Sequence, residues 1–243
     1  MSYLKIPANE RGFADYGWLK PAYSFSFSNW YNPNKMGFKS LLVLNNDIVA
    51  PAAGFPTHGH QNMEIITIPL RGSIAHKDST GSDGIIQTGE VQIMSAGTGI
   101  THSEFNASQT EDLELFQIWI LPEQNNLQPR YDQTAFNQEE RQNKWQIVVS
   151  PNPENDQKNY QQQQKPLKIY QQSYLSLADI EEGKKLIYNL KNSQAGVYLM
   201  LIEGQIEING TVLTKRDAME ITNETEFEIT AQSKASVLVI ETV

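Results

Sequence analysis

The chain has 243 residues, with 19 Lys and Arg against 28 Asp and Glu, a formal net charge of −9 and no cysteine. The cations form no run, which argues against a nucleic-acid footprint, and the missing thiols exclude disulfides and thiolate metal ligands together. No stretch approaches the ~18 consecutive apolar residues of a membrane helix, and the opening MSYLKIPANERGF lacks an apolar signal core, so a soluble cytoplasmic protein is expected.

The first 37 residues are rich in aromatics, best read as packing for a β-scaffold. Within them SFSFSNW, Ser24 to Trp30, alternates polar and apolar and predicts a half-buried strand. KSLLVLNNDIVA reads as a strand, a turn at Asn45 to Asp47, and a second strand. EIITIPLRGSIAHKD reads as two strands joined at Arg71-Gly72, and DSTGSDGIIQTGE places Gly81, Gly84 and Gly89 in tight turns. VQIMSA and LELFQIWILP add two strands, the second ending before Pro122. Residues 122 to 144 are polar and read as a connector, and Gln161 to Gln164 as a solvated excursion. LSLADIEEGKKLIY reads as a turn leading into a strand, and Asn209-Gly210 between alternating runs is a strong hairpin signal. IPLRGSIAHKD and MLIEGQIEING share one pattern of apolar strand, Gly turn and alternating strand, a weak internal repeat. Short strands with frequent turns and no long helix predict an all-β chain of sandwich or barrel type, and the length suits two domains of about 120 residues.

The four histidines His58, His60, His76 and His102 all lie between Gly54 and Glu104. On an extended strand, side chains at i and i+2 share a face with Cα atoms roughly 6.5 Å apart, so His58 and His60 can aim at one point, as can His102 and Glu104. Three imidazole nitrogens and one carboxylate suit a divalent iron, copper, nickel, cobalt or zinc ion. His76 reads as an ordinary loop or strand-end residue. No histidine follows His102, so the second half has no histidine with which to build such a site.

The H-G-H at His58 to His60, the Gly-rich turns, the block VQIMSAGTGITHSE from Val91 to Glu104 and the opening NERGFADYGWLKPAYSFSFSNWYNPNKMGF together resemble the pirin family of the cupin superfamily. The resemblance implies a bicupin, two jelly-roll-type β-barrels in one chain. It assigns residues 1–135 to an N-terminal metal-binding barrel with connector, and residues 136–243 to a degenerate barrel without metal. It makes His58, His60, His102 and Glu104 the ligands of one divalent transition metal, most often Fe(II), with Cu, Ni, Co or Zn as alternatives. In many cupins outside the pirins the carboxylate ligand stands where Glu64 does. Four residues carry Glu64 about 13 Å beyond His60, so it is expected beside the ligands, orienting an imidazole, and Glu104 is expected as the ligand. The implied activity is that of pirin-like quercetinases, opening of a flavonol such as quercetin with O2 and release of CO, with Glu104 as catalytic base. The implied partners are a flavonol and O2, without nucleic acid or membrane. The alternative is a non-enzymatic, metal- and redox-responsive regulator that binds a transcription factor or a metabolic enzyme.

Overall fold

Short runs of β-branched and aromatic residues broken by Gly and Asn turns favour strands over helices. The computed structural model describes residues 2–243, and among them the regular structure is almost entirely β. The chain runs through β1 (Ser2–Ile6), β2 (Gly12–Phe13), β3 (Leu19–Tyr23), β4 (Leu41–Val49), β5 (Gly54–His60) and β6 (Glu64–Arg71). It continues through β7 (Ser73–Asp78), β8 (Asp83–Gln87), β9 (Glu90–Ser95), β10 (Ile100–Asn106), β11 (Leu113–Ile120) and β12 (Arg130–Ala135). The second half holds β13 (Gln146–Ser150), the helix α1 (Pro153–Asn159), β14 (Leu167–Lys168), β15 (Ser173–Ile180), β16 (Lys185–Asn189) and β17 (Gly196–Glu203). It ends with β18 (Gln205–Ile208), β19 (Thr211–Thr214), β20 (Ala218–Thr222), β21 (Glu226–Ala231) and β22 (Ala235–Thr242).

These strands form two compact units, each an open jelly-roll-like sandwich of a seven-stranded and a four-stranded sheet. In the first, Gly12–Phe136 with Ile169–Gln171, the large sheet runs β12-β9-β6-β11-β4-β3-β2 and the small one β5-β10-β7-β8. In the second the orders are β1-β20-β17-β22-β15-β13-β14 and β16-β21-β18-β19. The two lists correspond in their inner strands, so the weak repeat in the sequence is a duplicated sandwich, though the outermost pairs differ: β2 runs antiparallel to β3 and β14 parallel to β13. The expected division at residue 135 differs in two places. Residues through Arg11 group with the second unit, where β1 pairs β20 from Ser2↔Thr222 to Ile6↔Ala218, and Ile169–Gln171 groups with the first. Which sheet edge a strand joins is a non-local choice that its own pattern does not encode.

The hairpin signals fold as read. Gly72 has φ of 81° between β6 and β7, and Asn209 and Gly210 have φ of 48° and 72° between β18 and β19, the left-handed pair of a two-residue turn that matches strand twist. Other segments depart from the reading. Asn45 to Asp47 make no turn and sit inside the nine-residue β4. Ser24 to Trp30 is not a strand: Phe27 and Trp30 close a turn with Ser28 at φ of 52°. The polar connector contains β12, which pairs with β9. Gln162, in the supposed solvated excursion, accepts from the Ile147 N–H at 2.7 Å and donates to its carbonyl at 2.9 Å, so its amide acts as one more strand partner at the edge of β13. Among the described residues no helix is long and apolar enough to cross a membrane.

One apolar cluster fills the second sandwich, from Val197, Leu199 and Leu201 on β17 to Val237 and Val239 on β22. In the first sandwich, Leu19, Val49, Ile74, Ile86, Leu113 and Leu115 form a cluster separate from Ile65, Met94, Ala96 and Ile100. Two glycines separate backbone strain from close approach. A Cβ on Gly54 would overlap the Glu104 carbonyl oxygen and lie 2.5 Å from the Phe105 Cα, whereas one on Gly210 would meet nothing within 4 Å. Gly54→Ala is expected to cost about 1–3 kcal/mol through forced separation of β5 from β10, and Gly210→Ala about 1 kcal/mol through left-handed strain alone. Urea unfolding midpoints measure both. Gly54→Ala is also expected to disturb the side chains of β10, which amide chemical shifts report and Gly210→Ala leaves alone.

Candidate metal centre

The pairs H-x-H and H-x-E lie on adjacent antiparallel strands, β5 and β10, with His102 directly opposite His58. Between His102 and Glu104 the register shifts, so that Glu104 stands opposite Phe55. The imidazole centroids of His58, His60 and His102 lie 4.4 to 4.9 Å apart, and one ring nitrogen from each falls within 4.8 Å of the others. A second such group, His76, His102 and Glu104, shares His102 with the first. His58 Nδ1 lies 2.8 Å from the Pro56 carbonyl oxygen, which can only accept, so Nδ1 carries the proton and the Nε2 lone pair is left for a ligand bond.

The donor set fits a divalent transition metal. His102 is buried, and neither of its ring nitrogens has a hydrogen-bond partner. An unsatisfied buried polar atom costs about 1–3 kcal/mol, and a cation that takes the lone pairs of converging imidazoles removes that penalty. Burial, with His58 beside it, lowers His60 to about 4. Burial together with the neighbouring His58, His60 and His76 lowers His102 to about 3. Both rings are therefore neutral at physiological pH, the form that binds metal.

Glu104 is enclosed as well, and burial raises its carboxyl, opposed by His76, a hydrogen bond from Gln117, His58 and Thr67. Its partners come from a row that crosses the large sheet in register, Asn45↔Gln117↔Thr67↔Gln92. Gln117 Nε2 donates to both carboxylate oxygens at 3.3 and 3.1 Å, and Thr67 Oγ1 lies 3.2 Å from Gln117 Oε1 and 3.4 Å from Glu104 Oε1. Gln117 and Thr67 were missed in the sequence. The available signal was a glutamine and a threonine at positions where an alternating buried strand calls for apolar residues.

His76 needs a correction. It is no loop residue: it lies on β7, fully buried, 5.3 Å from the His102 ring and 4.6 Å from the Tyr131 ring, with Nε2 3.0 Å from Asp78 Oδ2. The signal was another i,i+2 pair, His76 and Asp78, on one face of a strand. Glu64 also stands elsewhere than expected. It opens β6 on the face opposite to Ile65, which lines the cavity, and it accepts from Ser95 Oγ at 2.9 Å and from the Tyr170 N–H at 3.4 Å.

All four candidate ligands line one cavity of about 350 Å³, walled mainly by Phe27, Phe55, Ile65 and Trp119. The Trp119 ring packs edge-on against His60 at 4.8 Å and against Phe27 at 5.2 Å. In the second sandwich, aligning the Gly204 turn with Gly72 and following the ladders puts Tyr188, Leu190, Phe227 and Ile229 where the first has His58, His60, His102 and Glu104. Tyr188 and Phe227 stack at 5.4 Å within the apolar core.

A folded pKa below the unfolded histidine value of about 6.5 means that the unfolded chain binds more protons. His60 and His102 therefore favour the fold fully above that value, and their contribution is lost as pH falls toward about 4 and about 3. Glu104, raised on folding, acts in the opposite sense. In metal-free protein, both rings are expected to remain neutral at about pH 5, where unfolded histidine is mostly protonated, and ring-carbon NMR shifts across a titration check this.

Comparison with known proteins agrees with this geometry. Residues 7–120 match the Pirin family model, and residues 147–242 match the model of the quercetinase C-terminal cupin domain. The chain is 39% identical over 241 residues to a quercetin 2,3-dioxygenase of Escherichia coli strain K12, covering 99% of this chain and 98% of that one. It is 35% identical to a pirin-like protein of Caulobacter vibrioides, over 97% of both chains. The crystal structure of the Escherichia coli bacterial pirin YhhW in complex with nickel(II) superposes with a TM-score of 0.90 at 37% identity, covering 99% of each chain. The chain is thus a cupin of two jelly-roll-like domains, similar along its whole length to quercetin 2,3-dioxygenases, and it belongs to the pirin family.

Proposed function

We propose that the protein is a flavonol 2,3-dioxygenase, which opens the flavonol ring with O2 and releases CO. In this reading one divalent transition metal, Fe(II) by preference, is held by His58, His60, His102 and Glu104. The observation that carries it is a buried carboxylate, gripped by Gln117, which shares one largely apolar cavity with three converging imidazoles. Bound there, the metal supplies a Lewis acid for a substrate oxygen and a partner for O2.

The protein's own part is orientation, dryness and proton transfer. Phe27, Phe55, Ile65 and Trp119 fit the faces of a flat aromatic substrate and exclude water from it. Glu104 takes the 3-hydroxyl proton onto a carboxylate oxygen. Burial raises the affinity of that oxygen for the proton, and Gln117 Nε2, which can only donate, keeps the carboxylate aimed throughout. His58 keeps its Nδ1 proton on the Pro56 carbonyl, which fixes its ring plane.

Two measurements test the reading. Metal content per chain is expected to fall severely in His58→Ala and His102→Ala, and full stoichiometry in both would remove them as ligands. CO release and loss of flavonol absorbance under air, on iron-, copper-, nickel- and cobalt-loaded protein, test the reaction. Glu104→Gln keeps shape and an oxygen donor, so it is expected to retain some metal while turnover falls about 10²- to 10⁴-fold. Wild-type rates in that variant would remove Glu104 as the base, and absence of CO from every metal form of the wild type would turn the reading toward a regulatory protein.

A further inference from the structure

His102 carries two buried ring nitrogens, and among the described residues neither has a hydrogen-bond partner. A metal on one of them leaves the other unexplained. A neutral imidazole holds one lone pair and one N–H, so once the lone pair faces a metal the remaining nitrogen is a donor that needs a buried acceptor. His58 meets the same requirement on the Pro56 carbonyl. For His102 the acceptor has to be found among its neighbours.

Directly across from His102 on β7 is Asp78, and across from Glu104 is His76. Asp78 is already engaged. Its Oδ1 accepts from the Thr80 N–H at 2.8 Å, the Thr80 hydroxyl at 2.6 Å and the Ser82 N–H at 3.3 Å, while Oδ2 lies 3.0 Å from His76 Nε2. Burial opposes its charge, but the bonds from Thr80, His76 and Ser82 outweigh burial and hold the carboxyl below its usual value, so Asp78 only accepts. In a neutral His76 ring Nε2 therefore carries the proton and Nδ1 the lone pair. That Nδ1 is buried and has no donor among the described residues.

The two unmatched atoms fit each other. The His76 and His102 rings stand 5.3 Å apart, centre to centre. An N–H···N bond of about 2.9 Å between two imidazoles puts their centres about 5 Å apart, so a small turn of either ring closes it. The Tyr131 ring lies over His76 at 4.6 Å, and its hydroxyl donates to Gln133. Gln92, whose buried amide also lacks a partner, offers its carbonyl as the rival acceptor, but it hangs from the large sheet, whereas His76 is on the strand next to His102. In the second sandwich the place of His76 is taken by Ile208 within the apolar core, so the architecture itself calls for no imidazole there.

We infer that Asp78 and His76 position His102 from behind: His102 donates one ring N–H to His76 Nδ1, His76 donates its Nε2–H to Asp78, and the other His102 nitrogen is turned toward the candidate metal. The inference rests on the reading of His102 as a ligand and adds what holds that ring. The charge of Asp78, passed through two hydrogen bonds, raises the basicity of the His102 lone pair toward a cation. Both are positioning residues, and neither touches the metal.

The test reads ring tautomers and metal affinity in full-length protein, with zinc(II) as the probe. Nitrogen-15 NMR of metal-free and zinc-loaded wild type is expected to show His76 protonated at Nε2, and a scalar coupling across the hydrogen bond from the His102 N–H to His76 Nδ1. Asp78→Asn turns an amide N–H toward Nε2, so the His76 proton is expected to move to Nδ1 and remove the acceptor. Zinc affinity, measured by chelator competition, is then expected to fall about 10- to 100-fold. His76→Phe is expected to lose as much, and His76→Asn, whose side-chain oxygen stands near the position of Nδ1, to recover most of the loss. A merely structural part for the pair would not move the tautomer. Absence of the coupling overturns the inference, as does a His76 proton on Nδ1 in the wild type, and neither measurement needs a variant to fold. Wild-type zinc affinity in folded Asp78→Asn overturns it as well, and so does direct coordination by His76 Nδ1, seen as a zinc-induced nitrogen shift as large as those of His58 and His60. Those results leave His102 standing as a ligand, whereas full zinc stoichiometry in His102→Ala removes the ligand reading and the inference with it.

Discussion

The constraint on which the first sandwich depends is the burial of the Glu104 carboxylate between two sheets. An ionised group taken out of water without partners costs far more than a single domain's margin of stability, so its surroundings are built to supply them. Gln117 and Thr67 supply hydrogen bonds from the large sheet. His76, His58 and His102 approach from the small sheet, and His76 and His58 help to offset the cost of burying the charge. Because the row Asn45, Gln117, Thr67, Gln92 runs straight across the sheet, it separates the apolar cluster around Leu113 and Leu115 from that around Ile65 and Met94. The site is thus a polar layer through the middle of the core.

The second sandwich shows the same backbone plan without that layer. Through its own ladders the corresponding row is Ser176, Val239, Leu199 and Met219, and the positions of Glu104 and His76 become Ile229 and Ile208. Val239, Leu199, Met219, Ile229 and Ile208 all belong to one continuous apolar cluster. With side chains like these, burial at roughly 25 cal/mol per Å² replaces a network that must be satisfied in every member to break even. One duplicated architecture therefore holds a buried polar layer in one copy and ordinary core packing in the other.

What could be read from the sequence follows from this difference. Hairpins set by Gly72 and Asn209-Gly210 are local backbone chemistry, and the alternating strands around them are legible for the same reason. Likewise the convergence of His58 and His60 with His102 is legible because a pair at i,i+2 projects onto one face. Asn45 to Asp47 looked like a turn because Asn and Asp are turn formers, yet tertiary position decided their conformation: with β3 and β11 on either side, the segment is held extended. His76 escaped because its partners, Tyr131 and His102, come from other strands. Gln117 and Thr67 acquire meaning only once the register brings them opposite each other.

The register shift between β5 and β10 resolves a conflict that strand geometry creates. His58 and Phe55 are three residues apart, so an unbroken strand would put them on opposite faces, yet both line the same cavity. Between the pairings His102↔His58 and Glu104↔Phe55, β5 advances three residues while β10 advances two, so one extra residue is accommodated on β5. Pro56 sits in that interval, where a missing ladder N–H is tolerated, and its carbonyl is released to fix His58 Nδ1. Gly54, just before it, lets β5 approach the backbone of Glu104 and Phe105 more closely than any side chain would permit. The run Gly54-Phe55-Pro56-Thr57-His58 therefore does three jobs in five residues: close strand contact, an aromatic wall and an oriented imidazole, each dependent on the bulge that places the other two.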